Sequence, residues 1–317
     1  MCGIAGIVAS DRLHEDETAR AIRMRDVITH RGPDGAGLHV DAQAALGHRR
    51  LSIVDLAGGA QPLANEDGTI WVLYNGEIYN HASIRPDLEA AGHRYRTRSD
   101  TETIVHAYEA WGDDCVHRFR GMFAFAIWDS PRRRLLLVGD RLGVKSLYWA
   151  IVPASPGDGR GERLLFASEI KAILESGLIR AEPNHGALSE LLATRTTAGT
   201  ETLFTGIHKL LPGHRLVYQD GRVIISQYWD VPQDGPDPAL AAMPHAELVE
   251  RVRSTLQESV RLRLMADVPL GMFLSGGIDS TAIAAVMARE MNRPVVTFSV
   301  AFADRASGTP LWASQVC

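Results

Sequence analysis

Cys2, Arg50, the run Asn75-Gly76-Glu77, Asp100 and the loop Ser275 to Ser280 are the residues of this 317-residue chain whose types and spacing can do chemistry. A small residue after the initiator methionine permits removal of Met1. The Cys2 thiol and an α-amine then belong to one residue. An unperturbed α-amine titrates at roughly 8, so it can take a thiol proton near neutral pH without a histidine. The thiolate can attack a carboxamide carbon, forming a thioester and releasing ammonia. The Asn75 amide and the Gly76 N–H can donate to the oxyanion, and one such donor is typically worth about 2.7–4 kcal/mol in the transition state. Arg50, in HRRLSIVD, can grip a carboxylate through a bidentate fork, and Asp100 can bind an ammonium. Each residue also has a structural alternative. A lone cysteine is commonly a small buried hydrophobe, and Asn-Gly is a strong hairpin-turn signal. A strand arginine is commonly solvated, and an aspartate in a first turn caps or charges its helix.

The sequence SGGIDS, Ser275 to Ser280, sits between an apolar strand and a helix. Its glycine pair lets backbone N–H groups approach phosphate oxygens, while the helix N-terminus adds partial positive charge. The lysine of a GxxxxGK[ST] loop is absent, so this is not a Walker A sequence. Asp279 is a candidate magnesium ligand and Ser280 a phosphate hydrogen-bond donor. The alternative is an ordinary tight turn between strand and helix.

The elements that must position these groups follow from periodicity. Gly3 to Ala9 predicts a buried strand beginning directly after Cys2. Ala21, Met24 and Ile28 fall at helical spacing, and HRGPD, His30 to Asp34, stops that helix. Strands are expected at Ala44 to Ile53, Ile70 to Tyr74, Phe123 to Trp128, Leu135 to Val138 and Leu164 to Ala167. Leu216 to Tyr218 and Val223 to Tyr228 form a hairpin across Gln219-Asp220-Gly221. Helices are expected at His81 to Ala91, stopped by Gly92, and after Ser99-Asp100-Thr101-Glu102, which has the capping-box form. Strands joined by short turns, with helices in separate blocks, indicate antiparallel sheets layered with helices. Val231 to Pro244, with four prolines, reads as a linker, and the domain boundary is placed near residue 240. Beyond it, Leu248, Val252, Leu256, Val260 and Leu264 mark an amphipathic helix. Val268 to Leu274, the glycine loop, a helix over Thr281 to Met291 and a strand over Pro294 to Val300 open a parallel α/β domain.

Composition narrows the function classes. Hydrophobic residues are 45% and charged residues 22% of the chain, as in soluble globular proteins. A formal charge of −5 gives no basic footprint for nucleic acid. Cys2, Cys115 and Cys317 are odd in number and far apart, which implies neither a disulfide framework nor a zinc site. No apolar run is long enough to span a membrane, no signal peptide is suggested, and a cytoplasmic enzyme is expected. The histidines, His30, His48 and His185 among them, read as structural or solvated. His30 is given a loop-ordering role.

In order along the chain, MCGIAGIV, HRGPDG, HRRLSIVD, QPL, YNGEIYN, SDTE, GMFAFAIWD, DRLGVKSLYW and FASEIKAIL resemble the class II glutamine amidotransferase domain of glutamine-hydrolysing asparagine synthetases. The resemblance covers nearly all of Met1 to Asp230. It implies an N-terminal-nucleophile fold, a four-layer αββα sandwich, over residues 2–230. It also implies Cys2 as nucleophile with its own α-amine as base, and Arg50 for the glutamine α-carboxylate. Asn75 and Gly76 would serve the oxyanion, and Glu77 and Asp100 the α-ammonium. Ser146 stands where the pattern DRLGVKSLY usually has proline, a turn position of little catalytic consequence. After the linker at 231–244, DVPLGMFLSGGIDS resembles the pyrophosphate loop of ATP-dependent adenylating synthetases. That implies a parallel-sheet ATP pyrophosphatase domain from residue 245 to 317, incomplete at this length. ATP with Mg2+ would be a substrate held by Leu274, Ser275, Gly276, Gly277, Asp279, Ser280 and Val300, with no tightly bound organic cofactor. The implied reaction passes ammonia from glutamine to an aspartyl-adenylate, giving asparagine, AMP and diphosphate. Glutamine, aspartate and ATP are the expected partners, and a homodimer is left open. The acceptor-choosing residues lie past Cys317, so the chain is expected to be a fragment. A related enzyme acting on another carboxylate, or a non-catalytic glutamine-binding protein, would carry the same first domain.

Overall fold

The structure, a computed structural model, describes residues 1–300 apart from 156, 158, 234 and 236. It divides into two compact units, the first ending at Val231 and the second beginning at Pro232. The division lies upstream of residue 240, four residues after the last strand of the first unit ends at Gln227. Within that segment Pro238–Ala241 forms one short helix capped by Asp237, whose side chain accepts from the Ala239 N–H.

Among the described residues, twelve strands build the first unit in chain order: β1 Gly3–Ala9, β2 Gly35–Val40, β3 Ala44–Arg50, β4 Leu63–Ala64, β5 Ile70–Ile78, β6 Gly121–Asp129, β7 Arg134–Gly139, β8 Tyr148–Val152, β9 Arg163–Ala167, β10 Ile207–Lys209, β11 His214–Gln219 and β12 Arg222–Gln227. They form two six-stranded sheets, β10-β8-β9-β1-β3-β2 and β12-β11-β7-β6-β5-β4. The paired strands within both sheets are antiparallel. The helices are α1 Glu15–Asp26, α2 His81–Ala90, α3 Asp100–Trp111, α4 Ile170–Glu175 and α5 His185–Thr194.

Three apolar clusters reveal the layering. One, with Ile4, Leu46, Trp128, Leu137 and Phe166, fills the space between the sheets. A second joins α1 and α4 to the first sheet through Ala21, Met24, Ile28, Ile7 and Ile173. The third joins α2 and α3 to the second sheet through Leu88, Ile104, Tyr108, Phe123 and Phe125. The architecture is thus an αββα sandwich. Strands in its middle are covered on both faces, which is why β1 is buried at all seven positions and reads as an unbroken apolar run.

Local rules decide the details. Gly92, with φ +102, ends the turn after α2, as its position in the sequence predicts. The capping box at Ser99 is only half made. Ser99 accepts from the Thr101 N–H, but the Glu102 carboxylate turns away to the backbone N–H groups of Arg96 and Thr97, at 2.8 and 2.7 Å. Those loop amides are otherwise orphaned donors, and a carboxylate satisfies two of them at once. β5 runs to Ile78, four residues beyond the predicted end, so Asn75-Gly76 is strand and not a hairpin turn.

The described part of the second unit contains α6 Pro238–Ala241, α7 His245–Leu262, α8 Ile278–Glu290 and two short parallel strands, β13 Gly271–Phe273 and β14 Val296–Phe298. Both strands are shorter than their apolar runs suggest, and α8 starts at Ile278, three residues before the expected Thr281. No described helix is long and apolar enough to cross a membrane.

Candidate active site

A cavity of about 200 Å³ opens where the amino end of β1, the carboxyl end of β3, the middle of β5 and the first turn of α3 converge. Cys2, Arg50, Asn75, Gly76, Glu77 and Asp100 all line it. Residues spread over a hundred positions of sequence therefore meet in one place.

Cys2 is fixed from two sides. Its Sγ accepts from the Leu51 N–H at 3.4 Å and approaches the Leu51 carbonyl at 3.6 Å. Arg31, from the HRGPD loop, donates through Nε to the Cys2 carbonyl at 2.9 Å and through Nη1 to Glu169 at 3.1 Å. The same loop ties down the Leu51 region, since Asp34 accepts from the Ser52 N–H at 2.8 Å and its own N–H donates to the Arg50 carbonyl. Burial pushes the Cys2 thiol up, and the nearby Asp100 carboxylate acts in the same direction. Such a thiol needs a base to become a nucleophile.

Asn75 is 1% exposed, and its Nδ2 has no hydrogen-bond partner among the described residues. An unpaired buried amide donor costs on the order of 1–3 kcal/mol. In a cavity wall it is a donor waiting for an acceptor. Gly76 is dictated by crowding. A Cβ there would lie 2.2 Å from the Met122 carbonyl oxygen and 2.7 Å from the Phe123 Cα on β6.

Arg50 is braced by the loop that follows β3. Its Nη1 donates to the Leu56 carbonyl at 3.0 Å, and its Nη2 to the Val54 and Asp55 carbonyls at 3.3 and 2.6 Å. Carbonyls hold the guanidinium in place without cancelling its charge, and Nε remains unengaged among the described residues. Asp100 is 3% exposed and accepts from the Tyr74 hydroxyl at 2.7 Å and the Ile78 N–H at 2.8 Å. Burial pushes its carboxyl up, and these hydrogen bonds hold it back. The Tyr74 hydroxyl is pushed well above its ordinary value by burial and by Asp100, so it stays a donor.

Among the lining residues that carried no individual role in the sequence reading are Gln61, Tyr74 and Lys145. Gln61 accepts from the Tyr74 N–H at 2.7 Å and donates to the Thr101 hydroxyl, so it links β5 to α3. Lys145 is 8% exposed, burial lowers its pKa, and Glu77 opposes that shift. Both Gln61 and Lys145 belong to motifs already singled out, QPL and DRLGVK, but only the fold brings them to Cys2. Among the histidines, His48 is buried, held near pKa 4 by burial, and bonded to the Tyr74 carbonyl. His30 is half exposed and bonded to Glu169, while its neighbour Arg31 bonds both Glu169 and the Cys2 carbonyl. Cys115 is buried and distinct from this cavity, and Cys317 lies outside the described residues.

The second set of residues lies in the second unit. Gly277 caps α8, Gly276 has φ +79, and the Ser275 and Ser280 hydroxyls lie 3.0 Å apart across the turn. Ser280 also donates to the Gly277 carbonyl at 3.2 Å, and Asp279 sits in the first turn of α8. Leu274 and Val300 each follow the carboxyl end of one of the two parallel strands. The Leu274 N–H donates to Phe298 at 2.8 Å. Leu274 is buried and Val300 exposed.

Comparison with known proteins bears on both units. The family described as glutamine amidotransferase domain matches residues 1–229, and the family described as asparagine synthase matches residues 251–317. Asparagine synthetase [glutamine-hydrolyzing] 3 of Bacillus subtilis is 37% identical over 312 residues, covering 96% of this chain and 48% of the relative. Amidase chyE of Penicillium rubens is 36% identical over 307 residues, covering 92% of this chain and 40% of the relative. The chain thus spans about half the length of the curated relatives it matches. A solved structure titled as the allosteric regulatory enzyme of purine biosynthesis shares the fold, with a TM-score of 0.53 at 18% identity, covering 99% of this chain and 68% of that one. With the family match extending over most of its length, the chain belongs to the glutamine amidotransferase domain family.

Proposed function

We propose that the first unit hydrolyses glutamine at Cys2 and that the ammonia serves an ATP-dependent amidation for which the second unit carries the pyrophosphate loop. The observation that carries this reading is the meeting of a buried thiol, an unpaired buried amide donor on Asn75, a braced guanidinium and a buried carboxylate around one cavity of about 200 Å³. Glutamine presents matching groups: a carboxamide for the thiol, a carboxylate for Arg50 and an ammonium for Asp100 and Glu77.

Met1 removal converts the Cys2 nitrogen from an amide into an amine. That amine takes the thiol proton, and Sγ attacks the carboxamide carbon. Asn75 Nδ2 and the Gly76 N–H stabilise the oxyanion, where charge develops. The amine returns its proton to the departing ammonia, leaving a glutamyl thioester. Water attacks that thioester, the amine again takes a proton, and glutamate leaves with the thiol restored. Arg31, beside the Cys2 carbonyl, and Lys145, in the cavity lining, are cations that together with burial lower the pKa of the Met1 amine. Their charges would act in the same sense on the Cys2 amine exposed when Met1 leaves, favouring its neutral, basic form.

In the second unit, the amides of Gly276 and Gly277 and the hydroxyls of Ser275 and Ser280 offer donors to the pyrophosphate of ATP, with Asp279 a ligand for the accompanying Mg2+. Leu274 and Val300 would contact the adenine. In this scheme residues 2–230 are the amidotransferase domain, and 245–317 open the ATP-using domain. Aspartate is the favoured acceptor because asparagine synthetases dominate the relatives. The adenylate and ammonia would yield asparagine, AMP and diphosphate, in the cytoplasm. A second acceptor class has support from the relatives named as amidases in two fungi.

Measuring ammonia release from glutamine by the purified chain, beside Cys2→Ala, tests the first step. Equal rates in the two proteins would remove the catalytic claim. Diphosphate release from ATP by the full-length protein, offered aspartate or other carboxylates, identifies the acceptor.

A further inference from the structure

Away from the cavity, four side chains converge in the helical layer over the second sheet, and the reaction described above uses none of them. Glu66 lies in the turn between β4 and β5, His93 follows α2, and His106 and Glu109 stand one turn apart on α3. His106 Nδ1 is 3.1 Å from Glu109 Oε2 and 3.5 Å from Glu66 Oε2. His93 Nδ1 is 3.6 Å from the same Glu109 oxygen and 3.8 Å from Glu66 Oε1. One donor atom from each residue can be chosen so that all lie within 4.8 Å of one another. Four ligands placed tetrahedrally at the usual zinc–nitrogen and zinc–oxygen distances stand about 3.4 Å apart. The observed separations straddle that value.

We propose that Glu66, His93, His106 and Glu109 form a binding site for a divalent transition-metal ion of the zinc class. Two carboxylates would neutralise the ion, and two imidazoles with two carboxylate oxygens suit a borderline cation better than a soft one. The groups behind the ligands are arranged as metal sites require. Asn65 Nδ2 donates to the far oxygen of Glu109 at 2.8 Å, and the Arg94 N–H donates to Glu66 Oε1 at 2.8 Å. The other ring nitrogen of His106 faces the buried Glu102 carboxylate at 3.6 Å. Access is from the Glu66 side, the exposed edge of the cluster. The ion would tie the β4–β5 turn and the loop after α2 to α3, the helix whose first residue is Asp100. The competing occupant is a proton, since a charged His106 would balance the same carboxylates.

The test uses the full chain, stripped with a chelator and then given Zn2+ alone. One equivalent should survive gel filtration, and should survive equally in Cys2→Ala, which removes the thiol as a rival ligand. Co2+ in place of Zn2+ should give the strong visible absorption of four-coordinate cobalt. His93→Asn and Glu66→Gln, both at the accessible side, should weaken Zn2+ binding by at least about tenfold. Circular dichroism confirms that each variant is folded, and if His93→Asn is not, Glu66→Gln carries the comparison. Failure of the unaltered chain to retain zinc overturns the proposal, leaving the protonated histidine as the cation. So does equal retention by the folded variants.

Discussion

Asn75 is the residue at which structure and chemistry meet most directly. Its side-chain nitrogen is buried and has no partner among the described residues. Keeping such a donor unpaired is unfavourable unless an acceptor arrives during the reaction. Asn75→Ala should lower kcat for glutamine hydrolysis by about 10²–10³-fold, the usual cost of one oxyanion donor. Its effect on KM should be far smaller, because the donor matters most where the oxyanion forms. A steady-state kcat and KM pair for the variant checks both halves of that statement. Lys145 acts at longer range. Its positive charge lowers the pKa of the Met1 amine, alongside burial and Arg31, and would act in the same sense on the Cys2 amine once Met1 is removed. The proposed base works as the neutral amine, so activity is lost as pH falls through its pKa. Removing a neighbouring cation raises that pKa. Lys145→Met should therefore shift the acidic limb of kcat/KM to higher pH, and a pH–rate profile reads the shift directly. An unchanged limb would remove Lys145 from the electrostatics of the base.

At the scale of elements, the site depends on strands and helices held in fixed register by buried charge as well as by apolar packing. Arg163, at the start of β9, is 1% exposed, and its Nε donates to the fully buried Glu17 of α1 at 2.7 Å. The same guanidinium bonds Asp11 and the Arg12 carbonyl, so one side chain fastens α1 and the loop after β1 to the first sheet. Glu17→Ala should destabilise the protein by about 3–5 kcal/mol, because it strands a buried cation. Chemical denaturation of the two proteins measures this, and a change below 1 kcal/mol would show that Asp11 alone suffices. Elements of this kind were unequally legible in the sequence. β1 could be read residue for residue because burial on both faces produces an unbroken apolar run. β5 reads four residues short because Asn-Gly imitates a turn. The glycine is instead required by the Met122 carbonyl of the neighbouring strand, a contact made across the sheet. β2 contains two glycines, and β8 buries only its central residue, so neither carries the alternation by which strands are recognised. The residues around Cys2 were nameable one by one, whereas Gln61 and Tyr74 enter the site through bonds that join β5 to α3 and leave no mark on local pattern.

At the scale of the whole molecule, the two units differ in how completely they bury their apolar groups. All three core clusters lie within the first unit, and each is closed by that unit's own sheets and helices. In the second unit Val260, Leu274 and Met287 are buried, while Phe273 is 80% and Ile278 88% exposed. Phe298, Val296 and Val300 are exposed as well. Stability should follow this division, since burial of apolar surface is the main favourable term in folding. Limited proteolysis should cut within the proline-rich segment 231–244 before it cuts inside either sheet of the first unit. The released residues 1–231 should unfold in one cooperative transition at the same temperature as the first unit within the intact chain. If glutamine hydrolysis belongs to that unit alone, the released fragment should also keep the kcat of the intact protein. A lower melting temperature for the fragment would mean that the second unit contributes to the first unit's stability, despite cores that close without it.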